Sequence, residues 1–293
     1  MTKIKLVIAI ISGILISSCE KEIPFDGKIS APRLVLNAIV DLDSTFSIFL
    51  ERSTFFLDNS SSTNLHITEG ATVVVKNLSN NVSYTLTEST SGSRYDFPFL
   101  VTPNTAYSIE VNHPDFNPIS SQMRTLSSVQ ILNLDTAIVQ QNFESKLRFE
   151  LTWNDNPSED NFYFIHVIQN SAWDQGYFYP MFLETKDPAV DNSQNTDVDG
   201  STYSTPYILI TDATFNGGQK TLRFETYNPY YWSEEDIALR VELISMTKEV
   251  YLYRKSVGLH QNQDFFSEPV KVFSNILNGF GIFGFMSRDF RML

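Results

Sequence analysis

The sequence has one cysteine in 293 residues, four histidines, and only 21 Lys and Arg against 34 Asp and Glu. Each shortage closes a class of function. A single thiol excludes intrachain disulfides, cysteine-based zinc centres and iron–sulfur clusters. The net charge of −13 disfavours nucleic acid as a partner, because its phosphates are bound through clustered Lys and Arg. Charged residues are 19% of the chain, below the roughly 25% usual in globular domains. Aromatics reach 13%, led by 23 Phe and 13 Tyr. This composition fits packed β-strands and rules out a disordered chain or a coiled coil.

Catalytic signatures are missing too. No two of His66, His113, His166 and His260 stand at metal-ligand spacing such as H-E-x-x-H. No G-x-S-x-G elbow presents a serine nucleophile. Gly279 to Gly284 does match G-x-G-x-x-G, but it lies too near the end of the sequence for a βαβ unit to follow. Its glycines are expected at turns or close backbone contacts. The reading is a non-enzymatic protein without a resident cofactor. One candidate ion loop remains, Asn195, Asp197 and Asp199 followed by Gly200. These oxygens at alternate positions form the first half of a Ca²⁺ loop, although Pro206 stands where the bidentate acid belongs. A simply solvated polar loop accounts for the same residues.

The N-terminus is an address. Lys3 and Lys5 precede an apolar run, Leu6 to Ile16, that is shorter than the about 20 residues needed to span a bilayer. Ser17 and Ser18 then lead into Cys19. Small residues directly before the only cysteine resemble a lipobox, the acylation signal of bacterial lipoproteins. The resemblance implies that residues 1–18 are a signal peptide and that Cys19 becomes the lipid-bearing first residue. Residues 19–32, with Pro24, Gly27 and Pro32 among charges, read as a tether. Removing the signal peptide takes away two lysines and leaves a charge of −15. Such a body repels anionic head groups, so acyl chains must provide the anchor.

From Arg33 the chain alternates apolar and polar residues in short runs separated by turn residues, which predicts an all-β protein. Phe46, Ile48 and Leu50 share one strand face, and Thr72 to Lys76 and Ala106 to Val111 are further strands. Residues 69–116 resemble a transthyretin-like regulatory domain, an immunoglobulin-like β-sandwich. The strand pattern lapses near Thr125 to Ser128, so a first sandwich over 33–125 and a second domain over 126–293 are expected. The segment LTWNDNPSEDNFYFIHV resembles two strands of a fibronectin type III domain, with Trp153 in the core. Ile237, Leu239, Val241 and Leu243 predict a half-buried strand. Val250, Tyr253, Val257 and His260 then recur at helical spacing and predict one helix over about 247–260, followed by a glycine-rich tail.

The segment ISMTKEVYLYRKSVGLHQNQDFFSEPVKVFSNILNGFGIFG resembles the end of the Bacteroidota lipoprotein family catalogued as domain of unknown function 4249. Pro269 to Ile276 and Gly281 to Phe283 carry the likeness, and Asp212 to Gly218 agrees with it. The resemblance implies an outer-membrane lipoprotein, often encoded beside TonB-dependent transporters. It thus implies a transporter accessory with lipid and transporter as partners. Glu20, Glu22 and Asp26 resemble a surface-export signal, which implies the cell surface. Ser44 and Thr136, each after an aspartate, resemble O-glycosylation acceptors of that phylum. The rival reading is a glycan- or peptide-binding lipoprotein. It rests on two aromatic clusters, Trp173 with Tyr177, Phe178 and Tyr179, and Tyr227 with Tyr230, Tyr231 and Trp232. Both flank turn residues. Exposed Tyr and Trp anchor partners and stack on sugars, whereas the same rings under long loops would be satellite core.

Overall fold

The computed structural model describes residues 27, 30–42, 44–55, 70–88, 94–97, 99–141, 144–170, 178–191, 204–231, 237–261, 268 and 270–293. The chain divides into two units, residues 1–31 and 32–293, and the second is the folded body. Its first strands are β1 (Leu34–Asp41), β2 (Phe46–Arg52), β3 (Thr72–Asn77), β4 (Ser83–Glu88), β5 (Arg94–Phe97), β6 (Ala106–His113) and β7 (Phe116–Arg124). There follow β8 (Ile131–Gln141), β9 (Glu144–Asn154), β10 (Phe162–Asn170), β11 (Phe178–Pro180), β12 (Ile208–Thr211), β13 (Gln219–Tyr227) and β14 (Ala238–Met246). The helix α1 (Lys248–Gln261) and the strand β15 (Phe280–Met292) complete the order. The protein is all-β with one helix among the described residues, and no helix there is long and apolar enough to cross a membrane.

Eleven strands run β11-β10-β14-β15-β1-β2-β5-β4-β3-β6-β7, with β12 also on β10. A separate sheet has the order β13-β9-β8. Alternation decides how these close. Phe46, Ile48 and Leu50 of β2 are fully buried and share a core with Val73 and Val75 of β3 and Tyr107, Ile109 and Val111 of β6. The long sheet therefore folds over on itself as a first sandwich. In the second, Phe149, Leu151 and Trp153 of β9 and Leu222 and Phe224 of β13 meet Tyr163, Ile165 and Val167 of β10 and Leu239, Val241 and Leu243 of β14. Trp153 is a core residue, edge-on to Tyr163 at 5.3 Å.

The helix forms within a residue of its expected bounds, but on a different face. Val250 and Tyr251 are buried and His260 is exposed. The Tyr251 ring lies tilted against Phe162 at 4.8 Å and its hydroxyl donates to Asp191, so the buried face of the helix includes Tyr251 in place of Tyr253. With Phe164, Ile244, Met246 and Ile282 these rings make a third cluster, on the outer face of the long sheet. The strand β14 is accordingly not half-buried as expected: α1 and a set of ion pairs cover the face that alternation leaves to water, and Glu242 is only 1% exposed.

One strand crosses the expected division. Up to Leu126 the clustered buried residues belong to the first core, and from Val129 to Leu183 to the second or to the outer cluster. The glycine-rich tail, however, does not belong to the second half alone. It is β15, whose residues 280–286 pair in parallel with residues 35–41 of β1. Its Phe283 and Phe285 enter the first core, while its residues 286–292 pair with β14 of the second sandwich. The glycines explain the tail. A β-carbon at Gly284 would stand 2.4 Å from Val250 Cγ2, so its absence lets α1 approach the strand. The chain from residue 32 onward is one unit because this single strand belongs to both sandwiches.

Candidate functional site

Two ends of the second sandwich deserve chemical scrutiny, and the aromatic end comes first. The strand β10 runs to Asn170, and β11 returns beside it with Gln169 opposite Tyr179 and Asn170 opposite Phe178. From the facing sheet, β13 ends at Tyr227, whose hydroxyl donates to Gln169 Oε1 at 2.7 Å. Gln169 thus links the two aromatic clusters, which the sequence separates by about fifty residues. After Tyr227 the chain turns sharply. Asn228 is buried, donates from Nδ2 to Ser145 Oγ at 3.0 Å, and accepts the Tyr230 amide on Oδ1 at 3.1 Å. That side-chain turn starts a short 3-10 turn, Pro229–Tyr231, and holds the Tyr230 backbone in place.

These rings are not satellite core. Phe178, Tyr179, Tyr227 and Tyr230 are 45%, 50%, 55% and 39% exposed. Partial burial pushes the Tyr227 and Tyr230 hydroxyls above their ordinary pKa. Such a group of fixed, half-wet rings has the composition of a binding surface. Of the expected residues, Tyr179 and Tyr227 are linked through Gln169, and Tyr230 follows in the adjoining turn. Trp173, Tyr177, Trp232 and the side chain of Tyr231 lie outside the described residues.

The outer face of the same sheet adds a residue that sequence reasoning missed. The Arg240 guanidinium lies 5.1 Å from the Phe178 ring and 5.6 Å from the Phe290 ring. Arg240 also reaches Glu242 at 2.7 Å, and Glu242 accepts from His166 Nε2 at 2.7 Å and pairs with Arg288 at 3.3 Å. Burial alone would raise the Glu242 pKa, but the His166 hydrogen bond and the charges of Arg288, His166 and Arg240 outweigh it and hold it below the usual range. The alternation of Arg240 and Glu242 with buried residues signalled a common face. Nothing in it signalled Phe178 or His166 as their partners.

The other candidates are dispersed. Among the described residues no three His, Cys, Asp or Glu side chains gather as a metal group. His113 accepts the Asp115 amide on Nδ1, and His166 serves Glu242. His66, Cys19 and the calcium candidates Asn195, Asp197 and Asp199 lie outside the described residues. Ser44 is exposed in the turn between β1 and β2, and Thr136 is exposed in the middle of β8.

The second polar region is a shallow groove of about 560 Å³ over the outer face of β9 and β13. Three ion pairs hold charges of its lining: Lys146 with Glu184 at 2.6 Å, Arg148 with Glu225 at 2.7 Å, and Arg223 with Glu150 at 2.6 Å.

The chain matches the family profile "Domain of unknown function (DUF4249)" over residues 20–290 and belongs to that family. No curated protein matches it. Among solved structures it is similar to a Salmonella alpha-2-macroglobulin mutant at 10% identity and a TM-score of 0.27. That match covers 92% of this chain and 15% of the other, so the chain spans a small part of that protein's length. It is also similar to the partial N-terminal region of an enterococcal surface protein at 9% identity and a TM-score of 0.17. There the coverage is 76% of this chain and 93% of the other.

Proposed function

We propose that this chain is a non-enzymatic lipoprotein of the outer membrane. It is anchored through acylated Cys19, displayed at the cell surface, and acts as accessory to a TonB-dependent transporter in nutrient uptake. The first sandwich is the spacer and the second presents the contact surface. The observation that carries the reading is the exposed aromatic end, where Phe178, Tyr179, Tyr227 and Tyr230 stand on rigid strand ends and a hydrogen-bonded turn. Interfaces draw most of their energy from such rings. The lipobox-like Ser17-Ser18-Cys19 and the acidic tether support the location. The test is a pull-down of the tagged protein from detergent-solubilised outer membranes. Near-stoichiometric recovery of a transporter, lost with Tyr179→Ala/Tyr227→Ala, supports the proposal; repeated recovery of the lipoprotein alone overturns it.

A second reading has its own support. Tyr179 and Tyr227 are half-exposed, one opposite Gln169 in the sheet and the other bonded to its side chain, and tyrosines beside a polar amide suit the flat faces and hydroxyls of a sugar. Under this reading the same surface binds glycan. Retention of the protein on polysaccharide affinity gels, unchanged in Tyr227→Ala, would refute it.

A further inference from the structure

A sheet edge exposes a row of unpaired amide and carbonyl groups, and proteins protect such edges with short strands, proline, charges or covering segments. Four of the edges here carry one of these devices. The strand β11 has three residues and ends in Pro180. The strand β12 has four residues, and the bridge from Val190 to Ile210 covers it. The strand β7 contains Pro118 and is bridged to Leu277 through Ser120. The strand β13 bears Lys220, Arg223 and Glu225, and Glu184 bridges it.

The strand β8 differs. It has eleven residues, of which only Ile131 is buried. Ile131 is also the one residue tied down beyond β9: its amide donates to Asp289 Oδ2 at 2.7 Å and its carbonyl accepts from Arg291 Nη2 at 2.6 Å. Among the described residues, 132–141 pair with β9 alone. The strand has no lysine and no proline, and its one charge, Asp135, is held by Asn133 at 2.6 Å. The single register shift lies at the tied end, between Ile131 and Asn133. Leu132 is 52% exposed and Ile138 is 59% exposed.

We propose that two copies of this chain associate through β8, antiparallel and centred on Thr136, joining their three-stranded sheets into one of six. The strand's own sequence selects a second copy as the occupant. Leu134, Thr136 and Ile138 lie opposite Leu151, Phe149 and Leu147 of β9 and so share its core-side face. A twofold axis perpendicular to the sheet must pass through one residue, because directly opposed residues share a face. Centring on Asp135 would oppose two carboxylates, which is unfavourable. Centring on Ala137 would set Ile138 against Thr136 and Asp135 against Val139. Centring on Thr136 sets Leu134 against Ile138 twice, covering the exposed isoleucine, and Asp135 against Ala137. The strand carries one charge in a protein of net charge −13, so along this edge two acidic bodies meet with little direct repulsion.

The test uses the full-length chain with Cys19→Ser, so that an introduced thiol is the only one. Thr136→Cys places two thiols on the axis and gives a covalent dimer on mild oxidation. Gln140→Cys does not, because the pairing separates its two copies by about 26 Å along the strand. Sedimentation of the unsubstituted protein shows a monomer–dimer equilibrium that tightens with salt as the acidic bodies are screened. Thr136→Asp weakens it about tenfold or more with the circular dichroism spectrum unchanged. Equal cross-linking at both positions, a monomer at every concentration, or a glycan on Thr136 in protein from its native source would overturn the proposal.

Discussion

Gly281 lies against the backbone of Leu36 so closely that a β-carbon on it would stand 2.0 Å from the Leu36 carbonyl oxygen. Its φ of +105° is also one that a side chain disfavours. The parallel pairing of β1 with β15 therefore depends on a missing methyl group. Gly281→Ala should cost about 3 kcal/mol or more in urea unfolding, since backbone and not a movable side chain is in the way. Gly70 has φ +82° but no neighbour closer than 3.6 Å, so Gly70→Ala should cost only about 1 kcal/mol. Equal losses at the two glycines would show that conformation alone, without the close approach, explains Gly281.

Because β15 serves both sandwiches, damage to one should be felt in the other. Phe283 is fully buried in the first core, 5.2 Å from Phe285. Phe283→Ala should remove about 3–5 kcal/mol. The loss should appear in the fluorescence of Trp153, in the second core, with Trp173 and Trp232 replaced by Phe. A Trp153 transition that stays at its original midpoint would mean that the sandwiches unfold separately.

Glu242 gives the fold an acid limit. Its pKa is held below the ordinary value, so its contribution is present above the unfolded-state value of about 4.3 and is lost as pH falls through the folded-state value. Glu242→Gln should cost about 3 kcal/mol at pH 7, because it strands Arg240, Arg288 and His166 around a neutral amide. The stability of the variant should also fall less steeply below about pH 4.3. An unchanged acid slope in denaturant titrations would place the acid sensitivity elsewhere.

At the aromatic end, hydroxyl and ring can be separated. Tyr227→Phe deletes the hydrogen bond to Gln169 but keeps the ring, and should cost about 1 kcal/mol of stability or less at this exposed position. Tyr227→Ala should abolish capture of the transporter, or retention on glycan, in whichever assay is positive. If Tyr227→Phe proved as damaging to binding as Tyr227→Ala, the hydroxyl and its glutamine would be the recognition element.

Much of this architecture is legible in residue order because alternation is a local property. Phe46, Ile48 and Leu50, or Leu239, Val241 and Leu243, point to one face whatever lies opposite, and each of these side chains is fully buried. What covers the other face of β14 is decided by α1 and by His166 of β10, and no spacing in the sequence encodes that. The tail misleads for the same reason. Its glycines read as punctuation, whereas Gly281 and Gly284 sit inside a strand at two contacts with distant segments. The aromatic clusters are visible as composition, but their meeting at Gln169 is a tertiary fact.

The pairing of Val35 with Phe280 also sets a schedule. Roughly 245 residues separate the partners, and at about 5–20 residues per second their synthesis is separated by roughly 12–50 s. Throughout that interval β1 has one flank without its neighbour, and the first core lacks Phe283 and Phe285. Neither sandwich can reach its final form before residues 280–292 are made, and contacts this remote in sequence form slowly. Lateness of this kind leaves β1 and β14 each with an open flank until β15 arrives, so both sandwiches wait on the same strand for their last ladder of hydrogen bonds.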